Sequence, residues 1–487
     1  MKTGVFIGGL FILIALSLPV AAILGDIAIV MDYFWNNGRL QRTFGGFLWE
    51  KSNQYLLLSI PLFILLGEIN LRAGLAGQMY SAVAKWLSWL PGGLMHSNIG
   101  SSAIFAATSG SSVATAATIG TVAYPEIERR KYNESLFLGS IAAGGTLGIL
   151  IPPSVTLIVY GVLTQTSVPE LYLAGVIPGL ILGGLFSLMI LIICILRPKM
   201  GGDRILATWA ERMWALVDLI PPAILFLGVI GTIYAGLATP TEAASIGVVL
   251  SLILAGWKRK LGAAMLLASF EGTVRTTSMI MLIIFAAMIL NIVVGFFGAI
   301  QLATEVIGTL GLTPLQLMLC VVIFYLIIGM FMETFSMMLT TIGVVFPLVI
   351  SMGYDPVWFG IIVVLLMETA LITPPIGVNL FVVQGIRSKG TAFRDVCVGA
   401  APFVVAKLCP LWGKSKPCLP KLWQIIANLL PQKDRSRAPF PPLFGRTIAM
   451  WHRYAGIHHP LFVRLPVSTF RQCVAKAPQN SNQRNSL

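Results

Sequence analysis

Two apolar segments of this chain each contain a pair of adjacent prolines, Pro152-Pro153 and Pro374-Pro375. The segments match one another: residues 145–161 read GTLGILIPPSVTLIVYG and residues 369–385 read TALITPPIGVNLFVVQG. Proline removes a backbone N–H donor and its ring clashes with the preceding helical turn, so each segment must contain a break in its helix. Inside a lipid bilayer, the carbonyls freed by such a break are tolerated only where protein buries them or a wet cavity faces them.

A second match lies upstream of each proline pair. Thr-Ile-Gly occurs at residues 118–120 and again at residues 341–343, at nearly the same separation as the proline pairs. The chain therefore contains two distantly matching halves, each with one broken helix. Paired broken helices in two repeats are the sequence feature that points most directly to the binding site of a membrane transporter.

The composition is that of a polytopic membrane protein. Hydrophobic residues make up 56% of the chain and charged residues only 11%, whereas a soluble domain has about 25% charged residues. We therefore predict an all-α fold whose helices cross the bilayer several times. The predicted spans are residues 5–23, 55–70, 136–163, 171–196, 219–235, 243–257, 278–297 and 358–383, and one that begins at residue 396. For the first of these, residues 5–23, the alternative interpretation is a cleaved signal peptide.

Two further apolar regions are interrupted at their midpoints by small polar residues. Residues 98–127 break at residues 109–112, and residues 314–350 break at residues 333–336. Each half is short for a transmembrane span, which indicates a re-entrant helical hairpin. If each of these regions is counted as a hairpin, the four basic clusters before residue 407 all lie on one face of the membrane. The positive-inside rule makes that face cytoplasmic. The two hairpins then open to opposite faces, as in an inverted repeat. Two full crossings per region would give the same parity, so charge alone leaves both interpretations open.

The predicted organisation follows from these segments. Residues 203–217 are amphipathic and are predicted to form a helix that lies in the membrane interface, the alternative being an ordinary linker helix.

The first half of the chain is predicted to contain N-terminal scaffold helices (1–93) and a first repeat core (94–196), which comprises a hairpin (94–127), a broken helix (132–164) and a helix (169–196). After the interfacial helix (203–217), the second half contains scaffold helices (218–312) and a second repeat core (313–394), which comprises a hairpin (313–350) and a broken helix (355–386). The chain ends with the start of a truncated last helix (395–406) and a basic tail (407–487).

Residues 407–487 differ in composition from the rest of the chain. They contain 13 lysines and arginines and one acidic residue, Asp434, and so account for most of the net charge of +14. Lys407 is predicted to stop the last span early. We hypothesise that this tail is an out-of-frame or fused sequence; the alternative is a natural basic tail that contacts anionic lipid on the cytoplasmic face. Because the remainder of the chain is nearly neutral, the charge does not indicate nucleic-acid binding.

Polar residues at the breaks are the candidates for function. Hydroxyls gather at the first hairpin tip, where free carbonyls offer oxygen ligands to a small cation and a helix N-terminus offers N–H groups to an anion. For any single hydroxyl, a hydrogen bond to its own backbone is the simpler interpretation. A carboxylate in apolar surroundings is costly and is therefore a functional hypothesis by default. Four carboxylates qualify: Glu68, Glu242, Glu333 and Glu368.

Among these carboxylates we prefer Glu333, because it lies at the second hairpin tip. Glu242 follows a helix-start sequence, so a charge that offsets the helix dipole is an equally good interpretation of it. We do not predict an enzyme or a transition-metal site, because His96 is the only histidine before the tail, which excludes a histidine-dependent triad or a two-histidine zinc site. An ATP-binding loop ending at Ser415 is excluded by Leu408, where the motif requires glycine, so we expect an ion gradient to supply the energy.

Five motifs occur in order within residues 1–406. They are residues 104–127 (IFAATSGSSVATAATIGTVAYPEI), 145–154 (GTLGILIPPS), 238–245 (ATPTEAAS), 329–334 (GMFMET) and 373–381 (TPPIGVNLF). Together they resemble the large permease subunit, or M-type subunit, of tripartite ATP-independent periplasmic (TRAP) transporters in the ion transporter superfamily. The resemblance implies a sodium-coupled, elevator-type secondary transporter that imports an organic acid, such as a dicarboxylate, across the bacterial inner membrane. It also implies two partners, a small TRAP membrane subunit and a periplasmic solute-binding protein, and no cofactor other than Na⁺ as the coupling ion.

The resemblance further implies where ions and substrate bind, because sodium sites in the family lie where a hairpin tip meets a broken helix. The first sodium site would comprise Ser109, Gly110, Ser111, Ser112, Gly145, Gly148 and Pro152, and the second Glu333, Thr334, Thr341, Thr369 and Thr373. Ser154 and Asn379 are the expected substrate-binding residues, and Glu242 is a further functional candidate. Two alternatives stay open: a sodium-coupled carboxylate transporter that works without a binding protein, and a passive channel.

Overall fold

The structure is a computed structural model. It describes residues 8, 9, 13, 18–203, 205, 207–298, 301, 305, 309, 311–387 and 392–408. All regular secondary structure within these residues is helical, which confirms the predicted all-α fold. Most of the predicted first span, 5–23, lies outside the described residues, as does the tail beyond Leu408.

Four helices are described between Val20 and Leu87. They are α1 (Val20–Asn36), α2 (Gln41–Ser52), α3 (Ser59–Arg72) and α4 (Leu75–Leu87), with a 3₁₀ turn at Tyr55–Leu58. Asp32, which is fully buried, holds the turn between α1 and α2. Its carboxylate accepts hydrogen bonds from Asn36 Nδ2 (2.9 Å) and from the backbone N–H groups of Leu40 (3.3 Å) and Gln41 (3.0 Å). A buried carboxylate is stable when its oxygens are bonded in this way.

The first repeat contains two helices joined by a tight turn, followed by a helix that is broken once; the re-entrant course of the first two helices stays a prediction. Its helices are α5 (Leu94–Ser109), α6 (Ser112–Ala123), α7 (Pro125–Arg129), α8 (Glu134–Leu150), α9 (Val155–Thr164) and α10 (Val168–Leu196). The side chains of Asn133 and Ser154 cap the N-termini of α8 and α9. The broken helix bends by 42° between α8 and α9, where the proline pair removes the donors that would continue the helix.

The segment between the repeats differs from the prediction in two places. Its helices are α11 (Trp209–Ala215), α12 (Ile220–Phe226), α13 (Thr232–Tyr234), α14 (Pro240–Trp257) and α15 (Ala263–Phe296). The helix predicted to lie in the membrane interface begins at Trp209 rather than at residue 203, because Thr208 and Glu211 form a capping box that fixes the helix start; its interfacial position stays a prediction. Helix α15 begins 15 residues before the predicted start at residue 278, since its first turns carry polar residues that hid it from a search for apolar runs.

Apart from the short α7, the second repeat has the same order of elements as the first. Its helices are α16 (Pro314–Gly329), α17 (Thr334–Ser351), α18 (Pro356–Ala370) and α19 (Val378–Ile386), followed by α20 (Phe393–Leu408). Thr313, Glu333 and Asp355 cap the N-termini of α16, α17 and α18. The last helix is predicted to stop at residue 406; α20 is described as far as Leu408 and so includes Lys407, whose side chain is buried.

Helix α8 is the centre of the packing. All of its residues from Leu136 to Leu150 are buried, and the helices packed around it are α5, α6, α9, α10, α18, α19 and α20. A second group consists of α1, α3, α14 and α15, in which α15 packs on α1 and α3 and α14 packs on α3. Helices from both repeats therefore enclose α8, and the second group supplies a separate wall.

Six helical segments within the described residues are long and apolar enough to cross a membrane. They are Tyr55–Arg72, Val168–Leu196, Trp209–Tyr234, Pro240–Trp257, Ala263–Phe296 and Thr334–Ser351, and the bent pair α8 and α9 gives a seventh if it is counted as one span. Helix α17 is among the six although it belongs to the second hairpin region. Length and composition therefore do not decide between a re-entrant hairpin and two full crossings there.

Candidate functional site

A cavity of about 140 Å³ lies where the tips of both hairpin regions come together. One wall consists of residues 109–114 at the first tip and residues 333–335 at the second. The opposite wall comes from the second packing group, with Gly67 and Glu68 on α3 and Thr276 on α15. The two hairpin tips, which are more than 200 residues apart in sequence, thus face one shared space.

Four helices begin at the wall of this cavity. The first-turn residues that line it are Val113 of α6, Thr156 of α9, Phe335 of α17 and Val378 of α19. The first N–H groups of a helix have no partner within the helix and carry a partial positive charge. These helix starts favour an anion, whereas Glu68 and Glu333 also line the cavity and no lysine or arginine does so among the described residues.

The first hairpin tip is a tight reversal of the chain. Gly110 ends α5 with a φ of 62°, a left-handed conformation that glycine adopts without strain. Ser111 then caps α6: its Oγ accepts a hydrogen bond from Ala114 N at 3.4 Å. The hydroxyl of Thr115 lies 2.6 Å from Ser111 O and 3.1 Å from Ser109 Oγ. Several neutral oxygens are thereby gathered at one tip.

This tip packs directly against the first broken helix. A Cβ atom added to Gly148 would lie 2.7 Å from Ser111 O, and one added to Gly110 would lie 2.7 Å from Pro153 O. Only glycine permits such close approach of the two backbones. The structure thus brings the first hairpin tip beside Gly148 and the proline pair, as the prediction of the first sodium site requires.

Gly145 and Pro152 complete the predicted first set. A Cβ on Gly145 would lie 2.6 Å from the Cβ of Ala116 on α6, so α6 lies close to α8 there as well. Pro152 is buried within the break between α8 and α9. The oxygens at the close approaches of Gly148 and Gly110, those of Ser111 and Pro153, are backbone carbonyls, which are the kind of ligand that unwound transporter helices offer to Na⁺.

The second hairpin tip carries a carboxylate. Glu333 Oε2 lies 3.2 Å from both the backbone N and the Oγ of Ser336, so the side chain caps α17. Glu333 and Thr334 line the cavity. The tip is joined to the second break by a hydrogen bond from Ile376 N to Met330 O at 3.4 Å.

The three other threonines predicted for the second sodium site do not line the cavity. Thr341 Oγ1 lies 2.8 Å from both Met337 O and Tyr325 OH, which links α17 to α16. The hydroxyls of Thr369 and Thr373 donate to the carbonyls four residues earlier, at 2.8 and 2.7 Å. Their remaining lone pairs can still accept or coordinate, so their assignment to a sodium site stays a prediction.

Ser154 and Asn379, the predicted substrate-binding residues, are fully buried behind the cavity wall. Ser154 caps α9, and its carbonyl accepts a hydrogen bond from Tyr172 OH at 3.3 Å. Asn379 Nδ2 donates to Ala142 O on α8 at 3.3 Å, which joins the second broken helix to the first. A direct substrate contact by either residue remains a prediction.

Sequence reasoning missed two hydroxyl residues in the cavity wall and underrated one carboxylate. Thr156 lies in the first turn of α9, and its Oγ1 has no hydrogen-bond partner among the described residues. Thr276 is supplied by α15, and no sequence signal connects it to the hairpins. Glu68 lines the cavity and forms an ion pair with Arg72. The position of Thr156, two residues after Ser154, was the only available signal.

Glu242 lies at the start of α14 and does not line the cavity. Its Oε2 accepts hydrogen bonds from the backbone N and the Oγ1 of Thr239, both at 2.8 Å, in a capping box. The side chain is exposed in the described structure. This placement is the one expected for a charge that stabilises a helix N-terminus.

Comparison with known proteins agrees with this architecture. The family model described as "Tripartite ATP-independent periplasmic transporter, DctM component" matches residues 7–412. The chain belongs to the TRAP transporter large permease family. The family consists of membrane transport permeases rather than enzymes, and the match to residue 412 places Lys407 within the family-like sequence.

Individual relatives of this TRAP permease show the same relationship. It is 35% identical to a C4-dicarboxylate TRAP transporter large permease of Pseudomonas aeruginosa, over 70% of this chain and 79% of that protein. It is 32% identical to a protein of the same description from Vibrio cholerae, over 81% of this chain and 92% of that protein. A sialic acid TRAP transporter large permease of Vibrio cholerae is 29% identical, over 80% of this chain and 90% of that protein.

One solved structure resembles the fold of this TRAP permease. The crystal structure of the Alcanivorax borkumensis YdaH transporter superposes with a TM-score of 0.50, over 73% of this chain and 85% of that chain. At 15% sequence identity, this likeness concerns the fold alone.

Proposed function

We propose that this protein is the large membrane subunit of a sodium-coupled secondary transporter that imports an organic acid across the bacterial inner membrane. The observation that carries the proposal is the shared cavity, into which both hairpin tips and the first turns of four helices project. An inward electrical gradient supplies about 2.3 kcal/mol per positive charge for each 100 mV. Co-transport of Na⁺ would couple that energy to accumulation of the substrate.

The helix N-termini in the wall support an organic acid as the substrate class. Helix N-termini bind carboxylates without a full positive charge nearby. The two carboxylates in the wall, Glu68 and Glu333, would repel an organic anion unless cations balance them. Bound Na⁺ at the hairpin tips would provide that balance. The named relatives take dicarboxylates or sialic acid, and both are organic acids.

We further propose that the protein works with a small TRAP membrane subunit and a periplasmic solute-binding protein, since the family description names one component of a tripartite system. The cavity lies between the hairpin tips and the wall formed by α3 and α15. An elevator-type movement of the repeat cores along that wall would carry the cavity across the membrane. Gly67 allows close contact at this boundary, because a Cβ there would lie 2.8 Å from Ser109 O.

The sodium sites are tested by thermal melting of the purified chain in NaCl and in choline chloride of equal ionic strength. Wild type should melt at a higher temperature in NaCl, because a ligand that binds only the folded state stabilises it. Ser111→Ala and Glu333→Ala should each reduce this difference by more than half.

Each variant has a matched control. Thr121→Ala removes an exposed hydroxyl from the same helix as Ser111, and Asp355→Ala removes an N-cap carboxylate as Glu333→Ala does, with Asp355 accepting from Trp358 N at 2.8 Å. Both controls should keep the full sodium shift even where they lower the melting temperature. An unchanged sodium shift in both site variants would refute the site assignment, and uptake that neither saturates nor needs Na⁺ would favour a passive channel.

A further inference from the structure

Lys407 lies in the last turn of α20 with its ammonium group inside the protein. Its side chain is 1% exposed, and Nζ lies 2.8 Å from Thr146 Oγ1 and 3.3 Å from Glu368 Oε2. The centre of the Phe186 ring lies 5.6 Å from Nζ, within the range of a cation–π contact. The ammonium is therefore surrounded by a hydroxyl, a carboxylate and an aromatic face.

The groups around the ammonium form a set of cation ligands. Thr146 Oγ1 donates its proton to Ala143 O at 2.7 Å, so a lone pair of this oxygen faces Lys407. Glu368 is completely buried, and neither of its carboxylate oxygens has an aligned hydrogen bond within the described residues. A buried carboxylate in this state requires a positive charge beside it.

This cluster lies next to both helix breaks. Thr146 is five residues before Ile151, where the first break begins, and Glu368 is three residues before Leu371, where the second begins. A cation held between Thr146 and Glu368 therefore connects α8 of the first repeat to α18 of the second.

The position of Lys407 is fixed by the alignment of α20 with α8. Ser135 Oγ donates to Asp395 O at 2.5 Å across a sequence separation of 260 residues, and Lys407 meets Thr146 across 261. Between these contacts, a Cβ on Gly139 would overlap the carbonyl of Gly399. The two helices thus run parallel in a constant register, and this register brings the end of α20 to the carboxylate.

We propose that Thr146 and Glu368 form a further binding site for a small monovalent cation, which this chain fills permanently with the ammonium of Lys407. The lysine is a tethered cation: it balances the carboxylate at a fixed position and keeps free Na⁺ out. The proposal does not depend on the sodium sites at the hairpin tips, because it concerns different residues.

The test removes the tethered charge and supplies a free one. Lys407→Met keeps a long apolar side chain but empties the site of charge, so Na⁺ can bind there. In the melting assay, NaCl should raise the melting temperature of Lys407→Met over that in choline chloride by several degrees more than it does for wild type. The double variant Glu368→Gln/Lys407→Met should lose this additional shift, since it has no carboxylate to bind Na⁺.

A surface lysine gives the matched control. Lys258→Met removes an ammonium that contacts only the exposed side chain of Gln78 among the described residues, and it should show the wild-type sodium shift. If the sodium shift of Lys407→Met equals that of wild type, the proposal is wrong and the pair is only structural. If wild type shows no sodium shift and Lys407→Met does show one, the hairpin-tip sites are refuted and the present proposal stands.

A second variant covers the case in which Lys407→Met does not fold. Lys407→Gln can donate a hydrogen bond to Glu368 but carries no charge, so it keeps a partner for the carboxylate. It should show the same additional sodium shift. A melting temperature of Lys407→Gln that rises on acidification, with a sodium shift no larger than that of wild type, would overturn the proposal, because a proton rather than a metal cation would then neutralise Glu368.

Discussion

Replacing Gly148 by alanine tests the contact between the first hairpin tip and the first broken helix. The new Cβ would lie 2.7 Å from Ser111 O and 2.8 Å from Ser111 C, whereas ordinary contact begins at 3.4 Å. The hairpin tip must therefore retreat by about 0.7 Å, the difference between these distances, because the opposing atoms are backbone and cannot rotate away. Overpacking of this kind costs about 1–3 kcal/mol.

The same displacement has a functional effect. It moves the carbonyl of Ser111, which we assign to the first sodium site, away from the broken helix. We therefore expect Gly148→Ala to lower the melting temperature and also to require a higher NaCl concentration for half of the sodium shift. A stability loss without a change in sodium dependence would show that this carbonyl does not bind the ion.

The matched control is Gly184→Ala on α10. A Cβ at that position would meet no atom within 4 Å, and alanine is favoured over glycine in a helix by about 0.5–1 kcal/mol. This variant should melt at or above the wild-type temperature with an unchanged sodium shift. If Gly148→Ala and Gly184→Ala gave the same melting curves, the close backbone contact would be refuted.

Three further substitutions test contacts elsewhere in the fold. Gly139→Ala should strongly reduce the yield of folded protein in size-exclusion chromatography, because the methyl group would overlap the carbonyl of Gly399; wild-type yield would refute the α8–α20 register. Asp32→Ala should lower the melting temperature, since it removes the acceptor of three part-buried hydrogen bonds, each worth about 0.5–1.5 kcal/mol; an unchanged melting temperature would show that the turn after α1 does not need the carboxylate. Asn379→Ala should cost about 1 kcal/mol through loss of its bond to Ala142 O; a fall in uptake much larger than the fall in folded protein would favour the predicted substrate contact.

The helices of the repeats could be located from sequence because their ends carry local signals. Asn133, Ser154, Thr313 and Asp355 all stand at helix starts and cap them, and such residues are recognisable in an apolar sequence. The breaks were equally visible, because proline pairs and glycine cannot be mistaken for continuous helix. Local chemistry of this kind needs no knowledge of the tertiary structure.

The features that sequence reasoning missed depend on contacts between distant segments. An unpaired lysine in an apolar run is costly, so Lys407 was interpreted as the end of the span. Its partner, Glu368, is 39 residues earlier, and the sequence does not show that the two residues meet. Thr276 joins the cavity only because α15 packs beside the hairpin tips. The buried position of Asn379 likewise depends on α8, which comes from the other repeat. No local pattern encodes these pairings.

The bond from Asn379 to Ala142 has a consequence for how the two halves of the chain can diverge. Its acceptor is a main-chain carbonyl, which every amino acid at position 142 would provide. A change of side chain there can alter the fit but cannot remove the acceptor, so no compensating change at position 379 is needed to preserve the bond. The hydrogen bond that joins the two halves can therefore be preserved during evolution without correlated substitutions at positions 142 and 379.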